Sequence, residues 1–248
     1  MTKSRYDQKM TLVEHLTDLR KCIIKAILGW LVGIVLIFLY ADRVYYYMTE
    51  PLGVTNLVYI SPIEGFLTYL KIAIYGGLML ASPVIIYQLF RFVLPGLYQH
   101  ERVILFTLIP TAFLLMVVGI SFGYFVVLPF ALKYLLNFSS LNVQPMLSMQ
   151  KYIGFVTTSL MILGIVFEMP LVVIGLTKLG VVTPKFLRKH RKYAIVLSVA
   201  VGAILTPPDV ITQVMMAGPL LFLYEISIWL SYLFWSKKQR KKEKTVSN

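Results

Sequence analysis

The sequence predicts an all-α, polytopic membrane protein with six transmembrane helices, both termini cytoplasmic, and short fifth and sixth spans. The first observation is composition: 58% of the 248 residues are apolar or aromatic and 14% are charged, against about 45–50% and about 25% in soluble domains. The second is patterning, because the apolar residues fall into six long runs. No run alternates with the period of two that a membrane β-barrel requires, so the spans are predicted to be helices.

The six runs give the spans in order. They are residues 26–41, 72–90, 103–132, 152–177 with Glu168 inside, 193–208, and 210–235 with Glu225 inside. Pro110, Pro129 and Pro170 are predicted to kink or end helices, because proline lacks a backbone N–H. We expect one membrane domain over residues 1–236 and a basic cytoplasmic tail over residues 237–248.

A short amphipathic helix at about residues 11–22 is predicted to lie along the cytoplasmic surface before the first span. Thr11 and Glu14 have the capping-box spacing, and the apolar residues 12, 13, 16, 19 and 23 share one side of a helix. Asp18 lies on the polar side, where an ion pair with Lys21 is the simplest interpretation and a binding role is the alternative.

The basic residues predict the orientation. Twenty of the 24 Lys and Arg lie in the N-terminal segment, the second and fourth loops and the tail, whereas four lie on the other side. Cytoplasmic loops carry the excess of basic residues, so both termini are predicted to be cytoplasmic. The first 25 residues are too polar for a signal peptide, and we expect the first span to be retained.

The fifth span is predicted to be too short to cross the membrane. Residues 193–205 are 13 residues, or about 20 Å of helix against a hydrocarbon core of about 30 Å. Pro207 and Pro208 oppose its extension. The fifth and sixth spans would then form a tight hairpin whose outer ends are covered by protein, water or a thinned bilayer. The alternative is a fifth helix that begins earlier in the sequence.

Four further acidic residues have functional or structural interpretations. Glu168 lies within an apolar run, where a charge costs at least about 2.5 kcal/mol; it is expected to be protonated, to pair with a polar group of another helix, or to line a wet groove. Glu101 follows a Pro-Gly turn and could accept a guanidinium through two hydrogen bonds, or form an exposed ion pair. Glu225 is interpreted as a helix-packing acid, and Asp209 as the N-cap of the sixth span.

Several kinds of site are not predicted. His15, His100 and His190 lie on separate segments without a partner at metal-ligand spacing, so we expect no metal and no cofactor. No nucleotide-binding loop, serine nucleophile elbow or intramembrane aspartate pair is present, and no enzymatic activity is expected. The basic excess fits cytoplasmic loops better than nucleic-acid binding. Cys22 is the single cysteine and cannot form an intramolecular disulfide.

Together, several motifs resemble those of the TatC family, the six-span core of the twin-arginine, Sec-independent protein translocase. The first is Glu14-His15-Leu16-Thr17-Asp18-Leu19-Arg20. The others, in chain order, are Ser61-Pro62-Ile63-Glu64, Ser82-Pro83-Val84-Ile85-Ile86-Tyr87-Gln88, Phe92-Val93-Leu94-Pro95-Gly96-Leu97-Tyr98, Glu101-Arg102, Ser121-Phe122-Gly123-Tyr124-Phe125, Phe167-Glu168-Met169-Pro170, Thr206-Pro207-Pro208-Asp209 and Leu223-Tyr224-Glu225.

The resemblance implies a receptor for the Arg-Arg signal peptides of folded cargo proteins at the cytoplasmic face. Asp18 and Glu101 match the family acids that recognise the arginine pair, and Asp18 is one methylene shorter than the Glu usual in the family. The implied signal-peptide site is Asp18, Arg20, Phe92, Pro95 and Glu101.

The resemblance also implies partners and a location. Glu168 and Gln213 are the implied intramembrane contacts for small single-span TatA- or TatB-type subunits, and further copies of the chain and membrane lipid are expected partners. The implied structural residues are Pro51, Pro83, Pro207, Pro208, Asp209 and Glu225. The location is the cell membrane of a prokaryote, and the energy source is the proton-motive force.

Two alternatives belong to other classes. One is a proton-coupled small-molecule transporter that uses Glu168 as its relay, although the spans contain few other ionisable groups and no evident inverted repeat. The other is an insertase or scaffold. Both alternatives predict indifference to an arginine pair in a bound peptide.

Overall fold

The structure is a computed structural model that describes residues 12–53, 57–93, 99–136, 146–205 and 210–246. Within these ranges the side chains of residues 12, 90, 93, 99–109, 178–179, 204–205 and 236–246 lie outside the description. The ten α-helices of the described ranges are α1 Leu12–Leu39, α2 Ala41–Thr49, α3 Pro62–Val93, α4 Gln99–Phe122, α5 Leu128–Leu136, α6 Met149–Phe167, α7 Met169–Leu179, α8 Pro184–Lys189, α9 Arg191–Leu205 and α10 Val210–Val246.

Three short elements complete the described part of the chain. A 3-10 turn covers Glu50–Leu52, and a π-helical turn at Gly123–Val127 joins α4 to α5. Two-residue strands β1, Leu57–Val58, and β2, Leu147–Ser148, pair in parallel with Leu57 opposite Leu147.

Five helical segments of the described ranges are long and apolar enough to cross a membrane. They are Val13–Leu39, Pro62–Leu89, Pro110–Leu136, Met149–Thr177 and Val210–Trp235. The fifth predicted span is α9, which begins at Arg191 and has 15 residues, or about 22 Å of helix. It is therefore short, as the sequence predicts, even though it begins two residues earlier than expected.

The sixth span differs from the prediction. Its apolar segment, Val210–Trp235, has 26 residues, long enough to cross a hydrocarbon core of about 30 Å. The helix then continues through the basic residues to Val246. The prediction of a short span is therefore confirmed for the fifth span and wrong for the sixth, because the 15 residues of α9 are too few to cross the core and the 26 residues of the sixth span are enough.

The N-terminal segment is helical but is not a separate surface helix. Residues 12–22 are the first turns of α1, which runs without a break to Leu39. No proline lies between them and the first span, and Lys25 and Ala26 favour helix, so nothing in the sequence bends the chain at the expected boundary. Thr11, the expected cap, lies outside the described residues.

Helices α1 and α3 cross at nearly touching backbones. A Cβ atom at Gly33 would lie 2.5 Å from the carbonyl oxygen of Gly77, and one at Gly77 would lie 2.6 Å from the backbone nitrogen of Ile34. The indole N–H of Trp30 donates to the carbonyl of Ile74 at 3.0 Å across the same pair. Small residues permit this approach, which gives dispersion contacts in a medium without a hydrophobic driving force.

Tyrosine hydroxyls bind backbone carbonyls on one side of the bundle. This side lies opposite the N-terminus of α1 and is here called the outer side. Tyr124 donates to the carbonyl of Tyr47 at 2.7 Å and Tyr152 donates to the carbonyl of Met48 at 2.8 Å. Both bonds hold the end of α2, whose Met48 side chain is buried in the largest core cluster of the described residues. Pro51, a predicted structural residue, lies in the adjoining 3-10 turn.

Glu64 joins the outer loops. Its carboxylate accepts from the backbone N–H of Ile60 at 3.2 Å and from the Ser148 hydroxyl at 3.4 Å, so it connects the end of β1 to β2. Ser148 also caps α6 by accepting from the N–H of Lys151. One carboxylate therefore orients the starts of two spans, α3 and α6.

The glycine crossing generates a stability prediction. We expect Gly33→Ala or Gly77→Ala to destabilise the protein by about 1–3 kcal/mol, because the new methyl group must push two backbones apart. Gly218→Ala is the matched control, since a Cβ atom there meets nothing within 4 Å; its better helix propensity should leave stability equal or higher. The measurement is the thermal unfolding midpoint in detergent, and equal midpoints for all three variants would contradict the crossing.

Candidate functional site

An aromatic contact joins the start of α1 to the end of α3. It lies on the side of the bundle opposite the outer side, here called the basic side because the segments with most of the Lys and Arg residues lie there. The rings of His15 and Phe92 stack with centroids 4.4 Å apart and an interplanar angle of 20°. Phe92 is a predicted peptide-binding residue, whereas His15 belongs to the first family motif and has no predicted role in binding. Nothing in the sequence pairs two residues 77 positions apart, so this contact is found only in the structure.

Asp18 lies one turn beyond His15 on the same helix. One Asp18 oxygen is 3.8 Å from the Lys21 ammonium group, with 39% of the Asp18 side chain exposed. The structure therefore agrees with the simple ion-pair interpretation of Asp18. At this distance and exposure the pair contributes between about 0 and 1 kcal/mol, so the carboxylate remains available to another cation. Arg20 is exposed on the same segment.

Glu101 lies in the first turn of α4, which begins at Gln99. Its side chain is outside the described set, as is the whole of Pro95. Helix α3 ends at Val93, so α4 starts on the same side of the bundle as Phe92. The topology thus brings the backbone of Glu101 to the side that holds Asp18.

Glu168 lies at a break between two helices in the middle of the fourth span. Helix α6 ends at Phe167 and α7 begins at Met169, with Pro170 in its first turn. Proline at this position cannot donate the next helical hydrogen bond, which explains the break. The backbone carbonyl of Glu168 accepts from the N–H groups of Leu171 and Val172, both at 3.0 Å, and so starts α7.

One carboxyl oxygen of Glu168 is buried in the described part of the chain. This atom, Oε1, makes no hydrogen bond with any described residue. Phe167 beside it packs on Gly119 and on the ring of Phe122, with centroids 5.6 Å apart. Helices α4 and α6 therefore pack closely at Gly119. A buried polar group without a partner costs free energy and is a candidate contact for another molecule.

Two other predicted residues contact neighbouring helices. Gln213 donates from its amide to the carbonyl of Val199 at 3.0 Å, which joins α10 to α9. Glu225 accepts from the Arg191 guanidinium at 2.6 Å, with 44% of its side chain exposed. Glu225 is therefore a half-exposed ion-pair partner and not a buried packing acid.

Of the four remaining predicted residues, the structure describes only Pro83. Pro83 lies inside α3 and removes one helical hydrogen bond there. Pro207, Pro208 and Asp209 lie outside the described residues. Within the described ranges, no group of three or more His, Cys, Asp or Glu is close enough to hold a metal ion.

Comparison with known proteins identifies the family. The family model described as TatC, Sec-independent protein translocase protein, matches residues 14–219. The translocase protein TatC of Aquifex aeolicus is 44% identical over 93% of this chain and 98% of its own length. The TatC of Desulforapulum autotrophicum is 38% identical over 99% of this chain and 93% of its own. The TatC of Escherichia coli strain K12 is 34% identical over 94% of this chain and 92% of its own length.

A solved structure agrees with these sequence matches. The crystal structure of a twin-arginine translocase receptor, TatC, superposes with a TM-score of 0.83 at 44% sequence identity, covering 89% of this chain and 99% of that one. A second crystal structure of such a receptor, in the detergent DDM, gives the same TM-score at 45% identity over 88% of this chain. The transporter alternative finds no support among these relatives. The chain belongs to the TatC family of Sec-independent protein translocase proteins.

Proposed function

We propose that this protein is the receptor subunit of a twin-arginine translocase and binds the Arg-Arg signal peptide of folded cargo at its basic, cytoplasmic side. The observation that carries the proposal is the convergence of Asp18, Phe92 and the first turn of α4 on that side. Three separate parts of the sequence lie on that side: α1 contacts the end of α3 through His15 and Phe92, and α4 begins there with Glu101 in its first turn. The proton-motive force is the proposed energy source.

The chemistry of the site favours arginine over lysine. A guanidinium presents two parallel N–H groups that match the two oxygens of a carboxylate, whereas an ammonium group does not. A peptide arginine has to displace Lys21 from Asp18, which costs little because that contact is long and exposed. Each arginine would then gain about 1.5–3 kcal/mol from charge-assisted hydrogen bonds.

The orientation supports the same assignment. The site lies at the ends of α1 and α3, beside loops that hold most of the basic residues. We propose that this side is cytoplasmic, with both termini, because short cytoplasmic loops carry the excess of Lys and Arg. Signal peptides of folded cargo arrive from that compartment.

We further propose that Glu168 contacts a small single-span TatA- or TatB-type subunit. A polar group on the partner's helix would satisfy the buried carboxyl oxygen, which has no partner in the described part of this chain. Interhelical hydrogen bonds of this kind contribute about 0.6–2 kcal/mol in membranes. Gln213, which has a second amide N–H, is the other proposed contact with such a subunit.

The receptor proposal predicts selective peptide binding. Purified protein in detergent should bind an Arg-Arg signal peptide more tightly than the same peptide with Lys-Lys. Asp18→Asn and Glu101→Gln should each weaken the Arg-Arg complex by about tenfold or more, since each removes a charge-assisted bond. The measurement is a fluorescence-anisotropy titration with both peptides.

Glu14→Gln is the matched control for that titration, because it removes the same charge from the same helix one turn from Asp18. We expect less than about a twofold change, as a non-specific charge effect would give. Equal affinity for the two peptides, or equal losses in Glu14→Gln and Asp18→Asn, would contradict recognition by the named carboxylates.

The partner proposal predicts opposite effects of one substitution on stability and on assembly. Glu168→Leu should leave thermal stability equal or higher, because it removes a buried unpaired polar group, while co-purification of a co-expressed single-span subunit falls severalfold. Glu168→Gln should retain the partner, since an amide still forms the hydrogen bond. Ser159→Ala, at a buried site in α6, is the control. Undiminished assembly in Glu168→Leu would rule the contact out.

A further inference from the structure

A cleft between α8, α9 and α10 is lined by none of the residues of the proposed peptide site. Its volume is 370 Å³, and it is lined by Arg188, Arg191, Ile228, Trp229 and Tyr232. We propose that this cleft binds the phosphate group of an anionic membrane phospholipid, with the acyl chains of the lipid lying along α10.

The charge of the cleft matches one phosphodiester. Arg191 is held at 2.6 Å by Glu225, which offsets its charge. Arg188 is exposed on α8 and forms no ion pair or hydrogen bond with the residues described. Arg188, Arg191 and Glu225 together carry one net positive charge, and a phosphodiester carries one negative charge. The fork of Arg188 can bind two phosphate oxygens at once.

A second polar group in the cleft also lacks a partner. The Nε atom of Arg191 is buried and makes no hydrogen bond within the described part of the chain, although Nη2 of the same guanidinium binds Glu225. An N–H donor next to an unpaired arginine favours an acceptor with several oxygens. Phosphate has that geometry, and a simple halide ion does not.

The apolar wall of the cleft favours a lipid over free phosphate. Trp229 is 77% exposed and Tyr232 is 41% exposed, although both belong to the apolar segment that ends at Trp235. Six basic residues follow between positions 237 and 244. Trp and Tyr concentrate at the headgroup level of membranes, where one end of the ring is wet and the other is apolar. A ligand that fits this wall needs both an anionic group and hydrocarbon.

The cleft is part of the packed structure and not a gap between loose side chains. The Tyr224 hydroxyl donates to the carbonyl of Leu187 at 2.8 Å, which fixes α8 against α10. Leu187, Val173 and Ile228 form a buried cluster directly behind it. Arg188 follows Leu187 in the sequence, so the same contact sets its position. Basic pockets between membrane helices at the cytoplasmic surface bind lipid headgroups.

The test uses Trp229 as the probe. The full chain is reconstituted in nanodiscs that contain brominated phosphatidylglycerol in a phosphatidylcholine background, or the reverse. Bromine quenches indole fluorescence on contact, and the signal lost in Trp229→Phe identifies the contribution of Trp229. We expect phosphatidylglycerol to be preferred over phosphatidylcholine by about fivefold for each free arginine. Equal quenching by the two lipids would overturn the proposal.

Substitutions separate this cleft from a diffuse basic surface. Arg188→Gln should abolish the preference, and Arg188→Lys should retain part of it, because the charge remains and the fork is lost. Lys185→Gln is the matched control, since it removes one charge from the same helix outside the cleft, and it should preserve the preference. Equal losses in Lys185→Gln and Arg188→Gln would refute a defined site.

Free phosphate is distinguished in the same samples. Excess inorganic phosphate, matched in ionic strength by sodium chloride, should leave the Trp229 quenching unchanged, because it cannot contact the apolar wall. Complete loss of the lipid preference on adding phosphate, without an effect of chloride, would assign the cleft to a soluble anion and overturn the lipid proposal.

Discussion

Backbone hydrogen bonding is the constraint on which the structure depends. In hydrocarbon a free N–H or C=O costs several kcal/mol, so the chain crosses the membrane region as helices and departs from them only where another group supplies the bond. The fourth span shows how this works: Pro170 interrupts the helix, and the carbonyl of Glu168 accepts two N–H groups to restart it. At the start of the same span, the Ser148 hydroxyl caps the first turn. Tyrosine hydroxyls perform the equivalent task for the end of α2.

The same constraint applies to the polar side chains within the spans. Thr177 pairs with Ser231 at 2.8 Å, and Thr157 donates to the carbonyl of Ile153. Four other span residues, Ser82, Gln88, Ser159 and Glu168, each have a buried side-chain oxygen without a hydrogen-bond partner in the described part of the chain, and Glu168 is the acid among them. Glu168 uses its backbone for the helix restart, while Oε1 is buried without a described partner. A buried acid without a hydrogen-bond partner costs free energy within a span, and this cost supports the proposed contact with another subunit.

Hydropathy alone located the spans, because the cost of placing polar residues in lipid leaves a strong signal in the sequence. The sequence also predicts the short α9, from its residue count, and the break before Pro170, from the chemistry of proline. Contacts between distant residues were not. The pairing of Gly33 with Gly77, the stack of His15 on Phe92 and the bond from Arg191 to Glu225 each depend on which helices become neighbours. The expected boundary after residue 22 was wrong because amphipathicity does not by itself end a helix.

A cationic signal peptide must approach a protein whose formal net charge is +13. Long-range electrostatics therefore oppose the encounter, but exposed charges are largely screened beyond about 8 Å at physiological ionic strength. Under the receptor proposal, recognition then depends on the few carboxylates within that distance of the bound arginines. Anionic lipid held at Arg188 would act in the same direction, because each bound phosphate offsets one positive charge on that side. The two proposals are in this way compatible, because the basic surface would bind anionic lipid while the acidic residues would bind the peptide.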